Sequence, residues 1–301
     1  MHRDPIDDLL AKTSRTFALA IPMLPWPTRR QVGIAYLLFR IADTFEDGVE
    51  WSGARRIRAL ERFVQLLRRP VVEDSRHAAR RWSEGSPIRH QGYLELLEQV
   101  PEVLQAYSEL EPAARDAIRE HTIRTAEGMS DFVARSDAGV LRLNDVADLR
   151  HYCYVVAGTV GEMLTELFLL GRDRLHRVRG FLQEGAARFG EGLQLVNILR
   201  DASFDNEEGR CYLPPDVGRR KIFALAREDL ATAVEYTCLL QEAGGHRGIV
   251  EFCALPVRLA LATLDRIETD GPGAKLSRDE VFRIVRDLHH ALDHARPAVS
   301  T

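Results

Sequence analysis

Apolar residues recur at helical spacing along almost the whole chain, and this regularity limits the fold more than any other feature. Leu9, Leu10, Phe17, Ala18, Ile21 and Leu24 open with it, before Pro22, Pro25 and Pro27 break the chain. The pattern predicts a helix from Thr28 to about Glu46 through Val32, Ala35, Tyr36, Leu38, Phe39 and Ala42, and another from Ser52 to Leu67 that ends before Pro70. Residues 72–90 are polar with little apolar periodicity and are expected to form a loop with one short helix. Further helices are expected near 91–106, 112–132, 145–170, 174–204, 224–243, 246–267 and 277–294. No segment alternates apolar and polar residues between hairpin turns, so no strands are expected. No Gly/Ser-rich linker divides the chain, and no repeat of about 20–50 residues is visible. The expected architecture is a single all-α domain over residues 1–301. The stretch Tyr152-Cys153-Tyr154-Val155-Val156-Ala157-Gly158 is apolar nearly all round its helix, which places it in a core or along an apolar cavity.

Composition narrows the function classes. With 45% hydrophobic and 29% charged residues over 301 positions, the chain can bury a large core, and disorder is excluded. The balance of 45 acidic against 41 basic residues, net −4, argues against a general nucleic-acid binder, which is usually clearly basic. No apolar run reaches the ~18 residues that a membrane span needs. The N-terminus, Met1-His2-Arg3-Asp4-Pro5-Ile6-Asp7-Asp8, lacks the apolar core of a secretory signal. Cys153, Cys211, Cys238 and Cys253 are widely separated with no Cys-x-x-Cys pair, which favours free thiols in a reducing cytoplasm over a zinc site or disulfide framework.

Two aspartate pairs stand out. In Asp43-Thr44-Phe45-Glu46-Asp47 the carboxylates of Asp43 and Asp47 are i and i+4 and share one helix face. In Asn197-Ile198-Leu199-Arg200-Asp201-Ala202-Ser203-Phe204-Asp205 the pair Asp201 and Asp205 repeats that geometry. Gln194 and Asn197 extend a polar ridge up a helix whose other residues, Leu193, Leu195, Val196, Ile198 and Leu199, are apolar. Like charges one turn apart repel, and a shared cation offsets that cost. Hard oxygen ligands on one face, with room for water and phosphate oxygens, suit Mg²⁺. A single such pair is also what a solvated helix end looks like. Two matched pairs on apolar helices instead suggest diphosphate held by Mg²⁺ at the rim of a cavity, with a hydrocarbon tail inside.

With these motifs the sequence resembles the squalene/phytoene synthase family of head-to-head prenyl synthases. Ser14-Arg15-Thr16-Phe17 is similar to the family's N-terminal element, and Tyr36-Leu37-Leu38-Phe39-Arg40-Ile41-Ala42-Asp43 with Asp47 to its first aspartate-rich motif. Tyr152 to Gly161 resembles the Tyr-Cys-x-x-Val-Ala-Gly-x-Val-Gly signature. Gln194 to Asp201 with Asp205, followed by Gly209-Arg210-Cys211-Tyr212-Leu213-Pro214, resembles the second motif and its tail. The resemblance implies an all-α isoprenoid synthase fold around a central apolar cavity. It implies that Asp43, Asp47, Asp201 and Asp205 bind Mg²⁺ (or Mn²⁺) with diphosphate, and that Asn197 completes the second cluster. Arg15, Arg40, Arg200 and Arg210 would contact diphosphate oxygens, since guanidinium binds phosphate as a fork. Ser14 and Gln194 would add hydrogen bonds, and Tyr36 and Tyr152 would sit at the reacting centre.

Phe252-Cys253-Ala254-Leu255-Pro256, with Ala262-Thr263-Leu264 downstream, resembles squalene synthases within the family and favours farnesyl diphosphate over the C20 substrate. The matching Phe252 would shelter a carbocation in the second half-reaction by cation–π attraction. The implied chemistry is condensation to presqualene diphosphate, then reduction by NADPH to squalene. Lys275 in Ala274-Lys275-Leu276-Ser277 weakly resembles the basic stretch tied to NADPH, and no Gly-x-Gly-x-x-Gly fingerprint is present. The chain ends at Thr301 without an apolar tail, so a cytoplasmic protein without a transmembrane anchor, touching the membrane peripherally to release product, is expected. Synthases of dehydrosqualene, presqualene diphosphate or hydroxysqualene, or of phytoene from geranylgeranyl diphosphate, remain open on these residues. A non-catalytic assembly relative would lose motif aspartates, and all four are kept.

Overall fold

The computed structural model describes residues 4–14, 17–136, 140–207 and 210–299, without the side chains of residues 18, 203 and 205–207. The chain forms two compact units, one of residues 1–22 and 26–139, the other of residues 23–25 and 140–301.

The first unit is helical throughout its described residues: α1 (Pro5–Thr13), α2 (Phe17–Ala20), α3 (Thr28–Glu46), α4 (Gly53–Arg68), α5 (Val72–Ser83), α6 (Gln91–Glu98), α7 (Val100–Ser108) and α8 (Pro112–Arg135). Its organising element is α3, where 14 of 19 residues are buried, so this helix is wrapped on nearly all sides. The aromatic rings of Phe45, Phe63, Trp51 and Trp82 pack together at its C-terminal end. There the buried Arg56 of α4 donates to the backbone carbonyls of Phe45 and Glu46, which the helix itself leaves unsatisfied.

Two expectations are sharpened in this unit. The short helix expected somewhere in the polar stretch 72–90 is α5, 12 residues long; its buried face is Ser75, Ala78, Ala79 and Trp82, a helical stripe of mostly small residues that an apolar count passes over. The helix expected over 91–106 is two helices that meet at Gln99, because Pro101 opens α7 in its first turn.

The second unit contains β1 (Leu141–Arg142), α9 (Val146–Cys153), a π-helical stretch (Tyr154–Gly158), α10 (Thr159–Leu169), a 3₁₀ turn (Asp173–Val178), α11 (Arg179–Glu207), β2 (Arg210–Cys211), α12 (Arg219–Glu242), α13 (Arg247–Asp270) and α14 (Arg278–Asp293). The all-α class holds, and only the expectation of no strands is corrected: β1 and β2 pair in parallel, Leu141 with Arg210 and Arg142 with Cys211. Two-residue strands are too short to show alternation in the sequence. The unit is built on α11, whose 29 residues span ~44 Å. The π-helical stretch and α10 cross α11 backbone to backbone. A methyl group on Gly161 would sit 2.0 Å from the Ala186 carbonyl oxygen, and one on Gly190 2.0 Å from that of Ala157. Glycine is the only residue that permits this approach. Among the described residues no helix is long and apolar enough to cross a membrane.

Candidate active site

On α3 the expected site residues form the accessible stripe of an otherwise buried helix; on α11, which also exposes residues such as Phe181 and Arg188, they lie on a partly buried face. On α3 the residues left accessible after the first turn are Tyr36, Arg40 and Asp43, spaced i, i+4, i+7. Asp47 follows one turn on, just past the last helical residue, where its N–H still donates to the Asp43 carbonyl at 2.8 Å. Burial makes such a stripe costly unless it has polar partners.

The partners are mostly within the stripe. Arg40 Nη1 lies 3.2 Å from Asp43 Oδ2, and Nη2 donates weakly to the Tyr36 hydroxyl at 3.4 Å. The Tyr36 hydroxyl donates to the Thr13 carbonyl at 2.8 Å. Arg40 Nε is buried and has no hydrogen-bond partner. Burial pushes the Asp43 carboxyl up to about 6; Arg40 opposes the rise and Asp47 adds to it. Ser14 caps the C-terminal end of α1, half-buried, with its N–H on the Leu10 carbonyl at 3.0 Å. Arg15 lies outside the described residues.

On α11 the half-buried Gln194, the exposed Asn197 and the half-buried Asp201 lie at i, i+3 and i+7 between buried Leu195, Val196, Ile198 and Leu199. Arg200 forks onto its neighbour Asp201, Nε to Oδ1 at 2.9 Å and Nη2 to Oδ2 at 2.5 Å. Asp205 continues the helix by one turn; its side chain lies outside the described residues. Arg210 is half-buried on β2, two residues before the buried Tyr212.

Tyr152 is the last but one residue of α9, next to the π-helical stretch. Such irregular turns often occur at functional sites because they re-aim side chains. Its hydroxyl donates to that of Tyr212 at 2.9 Å, and the rings stack at 4.7 Å with 27° between planes. Across α9, Arg150 donates to Glu191 of α11 at 3.1 Å and to the fully buried Asp229 of α12. That buried ion cluster ties the Tyr152 helix to the helix carrying Asn197 and Asp201. Phe252, buried in α13, meets Phe168 of α10 edge to face at 5.8 Å. Lys275 is exposed on the loop between α13 and α14, and Gly273 in that loop donates to the Arg200 carbonyl at 2.7 Å.

Sequence reasoning missed Tyr93, whose ring lies 5.3 Å from the Arg40 guanidinium carbon, and gave Tyr212 no role. No local pattern marks Tyr93. The Tyr-Leu-Pro tail quoted with the second motif was the available signal for Tyr212.

The donor set fits a divalent cation bound together with an anion. Among the described residues no three His, Cys, Asp or Glu side chains converge on one point. Mg²⁺ does not need them: it is commonly held by one or two carboxylates, substrate phosphates and water. The buried, unpartnered Arg40 Nε supplies a donor for such an anion.

Comparison with known proteins gives a consistent result. Residues 10–222 match the squalene/phytoene synthase family. Squalene synthase ERG9 of Candida albicans is 27% identical over 287 residues, covering 86% of this chain and 60% of that protein. The squalene synthase of Yarrowia lipolytica is 29% identical over 283 residues, again covering 86% and 60%. The chain thus spans about 60% of the length of these relatives. The structure of TcSQS with the ligand E5700 matches with a TM-score of 0.78 at 28% identity, over 93% of this chain and 84% of that one. A dehydrosqualene synthase in complex with ligand has a TM-score of 0.57 at 19% identity, a likeness of fold alone. The family match runs through both carboxylate motifs and the Tyr152 helix, and the chain belongs to the squalene/phytoene synthase family.

Proposed function

We propose that the protein is a prenyltransferase that joins two farnesyl diphosphates head to head into presqualene diphosphate and reduces that product with NADPH to squalene. The observation that carries the reading is that α3 and α11 each set a motif carboxylate beside an arginine, Asp43 by Arg40 and Asp201 by Arg200. The reading requires that both carboxylate pairs act on the same substrates. Asp43 and Asp47 of the first motif, and Asn197, Asp201 and Asp205 of the second, would hold Mg²⁺. When bound, Mg²⁺ neutralises the charge that builds on the departing diphosphate.

The chain's own residues do the rest. Arg40, Arg200, Arg210 and Arg15 bind diphosphate oxygens and lower the barrier to breaking the allylic C–O bond. Ser14 and Gln194 fix the orientation of the diphosphate. The double bond of the second molecule attacks the allylic cation, and loss of a proton closes the cyclopropane. In this reading Tyr36 and Tyr152 act at the reacting centre, and the hydrogen bond to Tyr212 orients Tyr152. Burial of Tyr152, Tyr212 and Phe252 keeps water from the cations. Phe252 shelters the rearranging cation before hydride arrives, and Lys275 assists the dinucleotide. The protein works in the cytoplasm and meets the membrane peripherally when its hydrocarbon leaves.

The test is product analysis by mass spectrometry on farnesyl diphosphate with Mg²⁺, with and without NADPH. Squalene formed only with NADPH supports the reading. The same C30 product in both arms replaces it with a dehydrosqualene- or hydroxysqualene-forming synthase. Turnover of geranylgeranyl diphosphate alone makes it a phytoene synthase.

A further inference from the structure

Arg40 and Arg200 stand next to aspartates in the same kind of stripe, yet they behave differently. Arg200 closes both Nε and Nη2 onto Asp201. Arg40 reaches Asp43 through Nη1 alone and leaves Nε buried without a partner. An unrestrained guanidinium beside a carboxylate would take the two-pronged arrangement, which is the stronger one. Something therefore holds Arg40 back from Asp43.

The restraint is aromatic. The Arg40 guanidinium carbon lies 5.5 Å from the Tyr36 ring centre and 5.3 Å from the Tyr93 ring centre. Both are inside the ~6 Å reach of a cation–π contact. Tyr93 stacks on His90 at 4.1 Å and 29°, and Tyr36 meets Phe17 at 5.7 Å. Phe17, Tyr36, Arg40, Tyr93 and His90 thus form one run of ring contacts drawn from α2, α3, α6 and the N-cap of α6. Tyr36 sits on the helix of Arg40 and moves with it. Tyr93 comes from another helix and is the part that can fix the guanidinium against α3.

We propose that Tyr93 is a positioning residue for Arg40, its ring keeping the guanidinium off Asp43 so that the Nε donor stays available to a diphosphate oxygen. The inference rests on the diphosphate reading of this half-site and goes beyond it, because Tyr93 belongs to neither aspartate motif. A donor whose direction is set before the ligand arrives loses little side-chain freedom on binding.

The test uses the full chain and inorganic pyrophosphate with Mg²⁺, followed by titration calorimetry. Tyr93→Leu should weaken pyrophosphate binding on the order of tenfold, the scale of a partly buried cation–π contact. Tyr93→Phe, which keeps the ring, should bind within about twofold of the wild type. In an Arg40→Met background Tyr93→Leu should add nothing, as expected if it acts through Arg40. With farnesyl diphosphate the same variant should raise KM more than it lowers kcat. If Tyr93→Leu does not fold, Tyr93→Gln carries the same expectation. Wild-type affinity in Tyr93→Leu, an equal loss in Tyr93→Phe, or the same loss with Arg40 already replaced each overturns the proposal. A wild type that binds no pyrophosphate overturns the diphosphate reading itself, and the role of Tyr93 with it.

Discussion

Gly161→Ala should damage the protein through the α10–α11 crossing, and the size of the effect follows from the geometry. The added methyl would lie 2.0 Å from the Ala186 carbonyl oxygen, against about 3.4 Å for ordinary contact. The obstruction is backbone, so the two helices must part locally by more than ~1 Å. Overpacking of this kind costs about 3 kcal/mol, while alanine's better helix propensity returns about 1 kcal/mol. A net loss of ~2 kcal/mol lowers the thermal midpoint of a unit this size by roughly 4–8 °C. Gly185→Ala on α11, next to Ala186, is the control: its nearest neighbour would be Thr232 Cγ2 at 3.4 Å, so it should be neutral or slightly stabilising. Adding Ala186→Gly should not rescue Gly161→Ala, because the clashing atom is the carbonyl oxygen. Circular dichroism melts of the four proteins decide the matter. A Gly161→Ala midpoint at or above the wild type would refute the reasoning, and so would rescue by Ala186→Gly. The same parting shifts Tyr152 against Asn197 and Asp201, so the surviving folded enzyme should also be slower.

Three further outcomes are expected. Asp43→Ala and Asp201→Ala should each lower diphosphate release at saturating Mg²⁺ by at least about a hundredfold with the melt unchanged within a few degrees; a near wild-type rate removes that residue from the metal role. Because burial raises the Asp43 carboxyl to about 6 when folded, above its ordinary range, the folded chain holds this proton more tightly than the unfolded chain. Stability of the metal-free wild type relative to Asp43→Asn should therefore rise as pH falls from 7 to 5, by at most about 1.4 kcal/mol per pH unit, while Mg²⁺ binding weakens; urea melts showing the opposite slope contradict the burial argument. Phe252→Ala should still form presqualene diphosphate but less squalene, read as the ratio of the two products at fixed NADPH; a parallel fall in both would make Phe252 only the packing partner of Phe168.

What the sequence made legible was whatever repeats locally. The bounds of α3, Thr28–Glu46, follow from its apolar period, and the stripe of Tyr36, Arg40 and Asp43 follows from the same arithmetic. The bounds of α5 were not legible because Ser75, Ala78 and Ala79 fill its buried face, and small residues carry little hydropathy signal. The π-helical turn after Cys153 leaves no pattern in the sequence, and it lies where Ala157 and Gly158 pass close to Gly190 of α11. The Tyr152–Tyr212 and Arg40–Tyr93 contacts join distant segments, and a single sequence holds no spacing rule for them. The Arg150, Glu191 and Asp229 cluster escaped for the same reason: each reads as a surface charge until three helices enclose it.

The resting ion pairs also explain how carboxylates at these positions can be tolerated before any ligand arrives. A half-buried stripe carrying two like charges one turn apart is destabilising by itself. Arg40 beside Asp43, and Arg200 on Asp201, neutralise one charge of each pair. In the proposed reading, Mg²⁺ and diphosphate entering together would let the cation take over the carboxylate while the arginine turns to phosphate. Each arginine then exchanges one anion for another, and each aspartate one cation for another. Neither Asp43 nor Asp201 would then pass through an unpaired state, which costs most where a charge is removed from water. The two halves pay unequal amounts for this exchange. Arg200 must break a two-pronged bond to Asp201, whereas Arg40 gives up a single contact and already holds a donor in reserve. The α3 half should therefore engage diphosphate more readily than the α11 half, so that Asp43→Ala weakens pyrophosphate binding more than Asp201→Ala does.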